Sequence, residues 1–183
     1  MDLGLEGKVA IVTGAALIRG NGAAIAFALA EEGVDVACAD VNIEGAQAVA
    51  EKIRAMGRKS LAVKVDQSDY QQVKDAVQKI RGELGGVDIL INNAAVMSNI
   101  AMLNKMTPEA WRNEVAINLS GPYYWIREVF DIMAEKKWGR IVNISSVAGV
   151  MGGMGQCGYS SCKGGLIALA KTTALEGARY GIT

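Results

Sequence analysis

Residues 9–22 read VAIVTGAALIRGNG, an apolar run followed by a glycine-rich loop and then by a segment of small residues. The run Val9–Val12 predicts a buried strand, and the alanines after Gly22 have helical spacing. Glycines here allow a tight turn, and the following helix offers free N–H groups and a positive dipole end to a pyrophosphate. An ordinary strand-to-helix turn is the alternative. The strand-loop-helix context favours a dinucleotide-binding loop, with contacts from Gly14, Gly20 and Gly22.

Five short apolar segments alternate with longer segments of helical spacing along the whole chain. Strands joined by helices run parallel, with right-handed crossovers. The order predicts an α/β fold: a doubly wound parallel sheet of Rossmann type, in three α/β/α layers, with every strand buried on both faces. The predicted strands are Val9–Val12, Val34–Ala39, Leu61–Val65, Ile89–Ile91 and Ile141–Ile144. The predicted helices are Gly22–Glu32, Ile43–Met56, Tyr70–Leu84, Pro108–Lys137 and Gln156–Tyr180, the fourth one bent or broken at Gly121-Pro122.

The composition indicates one domain, residues 1–183, that binds a small molecule. Of the 183 residues, 51% are hydrophobic, and the 19 basic and 19 acidic side chains cancel. A chain without net charge lacks the positive field that attracts nucleic acid. No apolar run approaches the roughly 20 residues that cross a bilayer, and the first eight residues lack a secretion signal. We expect no nucleic-acid or membrane partner, and a cytoplasmic protein with three reduced cysteines.

Histidine is absent from the sequence, and this limits the possible chemistry. Ser-His-Asp catalysis, Cys-His catalysis and histidine-ligated metals are excluded. The cysteines lack the spacing of a zinc site, so no metal is expected. Proton transfer must use Tyr, Lys, Cys or a carboxylate.

An acidic residue ends the second predicted strand, about 20 residues beyond the glycine loop. Asp40 there can accept hydrogen bonds from the adenosine ribose and would repel a 2′-phosphate, which favours NAD over NADP. A helix N-cap is the alternative role for Asp40. Arg19 in the loop is the opposing signal, because a guanidinium can pair with the 2′-phosphate. We give Asp40 the greater weight.

The remaining motifs resemble those of the short-chain dehydrogenase/reductases of the Tyr-x-x-x-Lys branch. The resemblance covers essentially the whole chain in order, and several motifs at compatible spacing are far more specific than any one. Besides the glycine loop, the motifs are DILINNAA at 88–95, Asn118-Leu119, GRIVNISS at 139–146 and YSSCK at 159–163.

The resemblance assigns four catalytic roles: Tyr159 donates or accepts the proton, Lys163 stabilises the phenolate and binds cofactor, Ser146 orients the substrate, and Asn118 supports a proton relay. Residues four apart share a helix face, so Lys163 can lie beside Tyr159. A phenol with a pKa near 10 is a poor base unless a cation is close. Ser146 follows a strand expected to lie centrally. Singly, each residue has an ordinary structural alternative.

The same resemblance implies that Tyr159 also contacts the cofactor. It places Asn93 and Gln67 at the cofactor and Asp66 near the adenine. The sequence departs from the family pattern in two places. Five residues rather than three separate Gly14 from Gly20, an extension that a bulge could absorb, and Ala95 stands where a glycine is usual. Family members also continue beyond the equivalent of Thr183.

These observations predict hydride transfer between a nicotinamide cofactor, preferably NAD, and a small secondary alcohol or ketone. A 3-oxoacyl-thioester reductase that uses NADPH is the second hypothesis, and it would need a basic patch for its carrier protein. A non-catalytic dinucleotide sensor or scaffold is the third. The resemblance also implies a homo-oligomer, a dimer or tetramer, with helix contacts from Pro108–Lys137 and Gln156–Tyr180. The methionines at 151 and 154 indicate a partly apolar substrate pocket.

Overall fold

The computed structural model describes residues 3–97 and 100–183. Its described residues form five strands and seven α-helices. The strands are β1 (Val9–Thr13), β2 (Asp35–Asp40), β3 (Ser60–Lys64), β4 (Ile89–Asn92) and β5 (Arg140–Asn143). The helices are α1 (Asn21–Glu31), α2 (Ile43–Ala55), α3 (Tyr70–Leu84), α4 (Pro108–Val115), α5 (Gly121–Lys136), α6 (Ala148–Met151) and α7 (Cys157–Gly177).

The strands form one parallel sheet in the order β3-β2-β1-β4-β5. Two apolar clusters cover its faces. One cluster joins the sheet to α1 and α2, and the other joins it to α3 and α5 with Leu169 of α7. The predicted doubly wound, three-layer fold is therefore confirmed. Strand order reverses between β1 and β4, and ligands bind at the carboxyl end of such a switch point.

Two expectations about the strands were wrong. β3 and β5 are not buried on both faces: most of β3 is only partly buried, and Val142 of β5 is exposed. β5 is also not central. Among the described residues it lies at the edge of the sheet, where only the bridge between Gly139 and Ile182 lies beyond it. An edge strand is more exposed than a central one, because it has one neighbouring strand instead of two.

The long fourth helix is interrupted, as predicted, but one turn earlier than Gly121-Pro122. Residues Ala116–Ser120 form a π-helical turn in which Gly121 N–H donates to the carbonyl of Ala116, five residues back. Pro122 has no N–H to donate to the carbonyl of Asn118, so the regular pattern cannot continue through this point. The wide turn contains Asn118, and such turns are frequent at functional sites.

Candidate active site

The glycine loop closes tightly at its first glycine. Gly14 has φ +68°, and a Cβ atom there would lie 2.8 Å from Cα of Ala94. A Cβ on Gly22 would collide with the carbonyl oxygen of Gly14. Both positions therefore require glycine, because any side chain would separate the loop from the start of α1 and from the segment after β4.

A turn absorbs the two extra residues of the loop. Gly20 N–H donates to the carbonyl of Leu17 at 2.7 Å, so residues 17–20 form a tight turn rather than the expected bulge. Gly20 is the N-cap of α1 and Gly22 lies in its first turn, so both keep their expected places at the helix start. Arg19 is exposed at this turn.

A cavity of about 400 Å³ opens at the carboxyl ends of β1 to β4. It is the region where the switch point predicts a ligand. Five of the predicted cofactor residues line it, whereas Arg19, Gly20, Gly22, Tyr159 and Lys163 do not. The lining residues are Thr13, Gly14, Ala39, Asp40, Val41, Val65, Asp66, Gln67, Asn93, Ala94, Ala95, Val96, Ile117 and Trp125.

Asp40 joins the end of β2 to the glycine loop. Its Oδ2 accepts a hydrogen bond from Ala16 N–H at 3.0 Å, and its Oδ1 accepts one from Asn42 N–H at 3.0 Å. The N-cap of α2 is Asn42, whose side chain accepts from Gly45 N–H, so the alternative role for Asp40 is wrong. A carboxylate has about four acceptor sites, and two remain for a ribose.

Thr13 and Asn93 hold the glycine loop against the segment after β4. Thr13 Oγ1 accepts hydrogen bonds from the N–H groups of Asn93 and Ala94, each at 3.0 Å. The Asn93 amide donates to the carbonyls of Thr13, at 2.9 Å, and Gly14, at 3.2 Å. The two sides of the cavity are therefore fixed relative to each other before any ligand enters.

Asp66 and Gln67 follow β3 and occupy different environments. Asp66 is exposed, and its Oδ1 accepts from the backbone N–H and the hydroxyl of Ser68. Gln67 is buried, and its Nε2 donates to the carbonyl of Ile117 at 2.7 Å and to that of Ala94 at 3.3 Å. Gln67 thus braces the cavity wall in addition to lining it.

Asn118 links the π-helical turn to the segment after β4. Its side chain is buried, its Oδ1 accepts from Val96 N–H at 2.8 Å, and its Nδ2 donates to Val96 O at 2.8 Å. This paired contact fixes the backbone of Val96, which lines the cavity.

The predicted Tyr-Lys pair lies on α7, packed against the residues that follow β5. Lys163 is 2% exposed, and its Nζ donates to the carbonyl of Ile144 at 2.6 Å. The same ammonium lies 5.6 Å from the centre of the Tyr159 ring. Burial lowers the pKa of Lys163, because the charged ammonium loses hydration. Negative charge developing on the phenol would stabilise this buried cation.

The serine pair after β5 has two separate tasks. Ser145 Oγ donates to the carbonyl of Lys163 at 2.8 Å, which ties α7 to the sheet. Ser146 Oγ accepts from Ala148 N–H at 3.1 Å. That contact uses an acceptor site of the hydroxyl and leaves its O–H as a donor. Ser146 therefore combines a fixed position with an available proton.

Sequence reasoning missed three contributors to this region. Thr13 directly precedes the first glycine, and its hydroxyl could have been suspected from that place. Asn92 Nδ2 donates to Asn143 Oδ1 at 2.9 Å, a pairing of β4 with β5 that becomes visible only with strand order. Glu114 is buried on α4, and a Cβ on Gly158 would collide with its carboxylate. No sequence signal marked Glu114.

The residues present fit a dinucleotide. Gly14 and Gly22 allow the loop to pack closely on the start of α1 and on the segment after β4, and the N-terminus of α1 that follows offers free N–H groups to a pyrophosphate. The Asp40 carboxylate lines the adjoining cavity, where a ribose hydroxyl can donate to it. Lys163 lies at the neighbouring strand end, so cofactor and acid/base groups share one edge of the sheet.

The Rossmann-type sheet with its glycine loop places the chain in the class of dinucleotide-binding proteins. The sequence profile described as short chain dehydrogenase matches residues 8–183. This chain belongs to the short-chain dehydrogenase/reductase family, whose members are NAD(P)-dependent oxidoreductases.

Several relatives have known activities. The 3-oxoacyl-[acyl-carrier-protein] reductase of Escherichia coli K12 is 40% identical over 181 residues, which cover 99% of this chain and 72% of that protein. The acetoacetyl-CoA reductase of Rhizobium meliloti is 42% identical, over 96% of this chain and 70% of that protein. The crystal structure of an NAD⁺-bound xylitol dehydrogenase superposes with a TM-score of 0.92 at 34% identity, covering 97% of this chain and 68% of that one. In the described part of the chain no helix has the length and hydropathy needed to span a membrane.

Proposed function

We propose that this protein catalyses reversible hydride transfer between NAD(H) and a small secondary alcohol or ketone, with Tyr159 as the acid/base. The carrying observation is the buried Lys163 ammonium, 5.6 Å from the centre of the Tyr159 ring and hydrogen-bonded to Ile144. When bound, the nicotinamide supplies or accepts the hydride. The chain's own residues manage the proton and the position of the carbonyl group.

In the direction of reduction, the carbonyl carbon gains the hydride and the Tyr159 hydroxyl gives its proton to the carbonyl oxygen. The phenolate left on Tyr159 is stabilised by the Lys163 ammonium, and solvent restores the proton. The reverse direction uses the phenolate as a base toward the alcohol. General acid/base catalysis of this kind contributes about 10²- to 10⁴-fold in rate.

Ser146 and Asn118 complete the proposed site. The Ser146 hydroxyl donates a hydrogen bond to the carbonyl oxygen as charge develops there, which lowers the barrier. Asn118 supports proton relay and fixes Val96 through the two hydrogen bonds of 2.8 Å. Both roles depend on a rigid backbone. At Ser146 this rigidity comes from the hydrogen bond that Ala148 N–H donates to Ser146 Oγ.

NAD preference rests on Asp40, which lines the cavity, whereas Arg19 is exposed at the loop and outside the lining. We expect the wild-type chain to bind NADH at least 10-fold more tightly than NADPH, because a carboxylate repels a 2′-phosphate. Asp40→Asn removes the charge and keeps one acceptor for the loop, so it should reduce this ratio about 10-fold. Titration followed by quenching of tryptophan fluorescence measures both affinities, since Trp125 lines the cavity.

Two further variants identify the residue that selects NADH over NADPH. Asp66→Asn removes another carboxylate of the same cavity and should leave the NADH to NADPH ratio unchanged. Arg19→Gln should also leave it unchanged. Tighter binding of NADPH by the wild type, abolished in Arg19→Gln, would contradict the assignment to Asp40.

Reduction of a 3-oxoacyl thioester with NADPH is the second candidate. It is favoured by the relatives in Escherichia coli and Rhizobium meliloti, which are named for that chemistry and cover nearly all of this chain. The Asp40 carboxylate argues against NADPH, the cofactor of this second candidate, because it repels a 2′-phosphate. Acetoacetyl-CoA with NADPH is the direct test: faster turnover of this substrate than of simple ketones with NADH would favour the second candidate.

We also propose that the protein is cytoplasmic, because all three cysteines are free thiols and a reducing compartment keeps them so.

We further propose that the protein is a homo-oligomer. A groove between the outer faces of α5 and α7 supplies the contact surface, and its lining includes Tyr123, Ile126, Phe130, Leu169 and Thr172. Light scattering should give a mass of two or four times 19.3 kDa. Tyr123→Glu places a charge in the groove and should lower that mass, whereas Met56→Glu should not. A wild-type monomer at micromolar concentration would refute the proposal.

A further inference from the structure

Helix α4 buries a carboxylate at the position where a helix usually buries an apolar side chain. Within α4, all of which the structure describes, Glu114 is the only buried residue, and it is 1% exposed. Acidic side chains are almost never fully buried unless a charge or hydrogen-bond donors compensate the loss of hydration. The burial of Glu114 therefore calls for an electrostatic explanation from the elements packed against α4.

The carboxylate of Glu114 lies against the first turn of α7. A Cβ atom on Gly158 would collide with Oε2 of Glu114, so only glycine leaves room for the carboxylate at this point. A second contact joins the same two helices, because Cys162 Sγ donates to the backbone carbonyl of Glu114 at 3.6 Å. Glu114 is therefore fixed where α4 meets α7, next to the residue that precedes Tyr159.

Helix α7 supplies no capping side chain of its own. Its N-cap residue, Gln156, makes no side-chain hydrogen bond to the first turn, and the first turn contains no acidic residue. The amino end of a helix carries a partial positive charge and favours a nearby carboxylate. Glu114 brings a carboxylate to this end from another helix, and the attraction between charge and helix dipole offsets part of the cost of its burial.

The charge of Glu114 reaches the turn of α7 that carries the proposed catalytic lysine. Burial, and after it the Glu114 carboxylate, raise the pKa of the Cys162 thiol to about 11, and the neighbouring Lys163 ammonium opposes this rise. Two other charged side chains of α4, Glu109 and Arg112, are exposed and pair with each other. Glu114 is therefore the charge that α4 presents to α7.

We propose that Glu114 is a positioning residue, whose carboxylate holds the first turn of α7 against α4 and thereby fixes Tyr159 relative to Asn118. This inference rests on the proposed function, in which Tyr159 is the acid/base. Glu114 lies one turn before Asn118, and Gly158 directly precedes Tyr159, so their contact joins the two backbone segments that carry these residues. A displacement of about 1 Å at a reacting group can cost about 10²-fold in rate.

Glu114→Gln keeps the shape of the side chain and removes its charge. The kcat for reduction of 2-octanone with NADH should fall about 5- to 30-fold, the upper range for a charge at a helix end. The dissociation constant of NADH should change by less than about 2-fold, because Glu114 does not line the cavity. Val77→Ala is the control for stability: Val77 is buried between α3 and the sheet, so this variant should melt lower and keep the wild-type kcat. A wild-type kcat in Glu114→Gln, or an equal loss in Val77→Ala, would overturn the inference.

Gly158→Ala disturbs the same contact from the other helix. The added Cβ would collide with the Glu114 carboxylate and push the first turn of α7 away, so kcat should fall as it does in Glu114→Gln. The double variant should be no slower than the slower of the two single variants, since both changes break one interaction. Losses that multiply in the double variant would mean that the two residues act separately, and they would overturn the inference.

Hydrogen exchange separates this inference from the proposed function. Ser160 N–H donates to the carbonyl of Gln156 at 2.7 Å in the first turn of α7. In Glu114→Gln this amide should exchange about 5- to 30-fold faster, whereas the amide of Ala174, near the other end of the helix, should exchange as in the wild type. Faster exchange at Ser160 alone, with no ketone turnover by the wild type, would refute the proposed function and support the hold of Glu114 on α7. Unchanged exchange at Ser160, in a protein that reduces ketones, would overturn the inference and leave the proposed function standing.

Discussion

Tyr159→Phe is expected to lower kcat for NADH-dependent ketone reduction by about 10²- to 10⁴-fold, the usual contribution of a positioned acid/base. The change removes one oxygen and keeps the ring that packs near Lys163. The dissociation constant of NADH should change by less than about 10-fold, the range of one hydrogen bond. Steady-state kinetics at 340 nm and fluorescence titration measure the two quantities separately.

Tyr180→Phe is the matched control for this prediction. Tyr180 follows α7 and packs edge-on against Phe130, so the substitution removes a phenolic oxygen elsewhere in the fold. Its activity should equal that of the wild type. If Tyr159→Phe retained more than a tenth of the wild-type kcat, the assignment of the acid/base would be wrong.

Lys163→Met is expected to lower kcat by about 10²-fold and to weaken NADH binding about 10-fold. The ammonium is proposed both to stabilise the phenolate and to hold the nicotinamide ribose, and hydrogen bonds to charged groups are worth about 1.5–3 kcal/mol. The melting temperature should change little. Burial lowers the pKa of Lys163, so an apolar side chain of similar length removes the desolvation penalty of the cation, and this offsets the loss of the hydrogen bond to the Ile144 carbonyl.

Lys171→Met provides the comparison, because Lys171 is exposed on the same helix two turns later. It should alter neither kcat nor the affinity for NADH. Thermal unfolding of both variants completes the test. A Lys163→Met protein that melted well below the wild type would indicate a structural role, and the loss of activity would then no longer support the mechanism.

The sequence predicted the fold because its signals are local. Alternation of apolar runs with helical spacing sets the layer arrangement, and glycines such as Gly14 are needed wherever backbone approaches backbone. The Tyr159 and Lys163 pair was predicted from the resemblance to the short-chain dehydrogenase/reductases. The four-residue spacing agrees with that prediction, because it brings two side chains to one helix face, but the spacing alone would not have identified the pair.

The features that were missed depend on packing between distant segments. The π-helical turn around Asn118 follows from Pro122 together with the contact to Val96, and periodicity does not report such a contact. The hydrogen bond from Ala16 to Asp40 requires the loop conformation, which sequence spacing leaves open. The edge position of β5 is a property of strand order, and apolar composition alone does not distinguish an edge strand from a central one.

Isotope transfer tests the central claim most directly. NADH labelled with deuterium at C4 of the nicotinamide, on one face and then on the other, is incubated with the protein and 2-octanone, and the 2-octanol is analysed by mass spectrometry. We predict deuterium at the carbinol carbon from only one of the two labelled cofactors, and about 10²-fold or more slowly with Tyr159→Phe. Bound NADH with no deuterium in any alcohol product, from 2-butanone or from 2-octanone, would contradict the account.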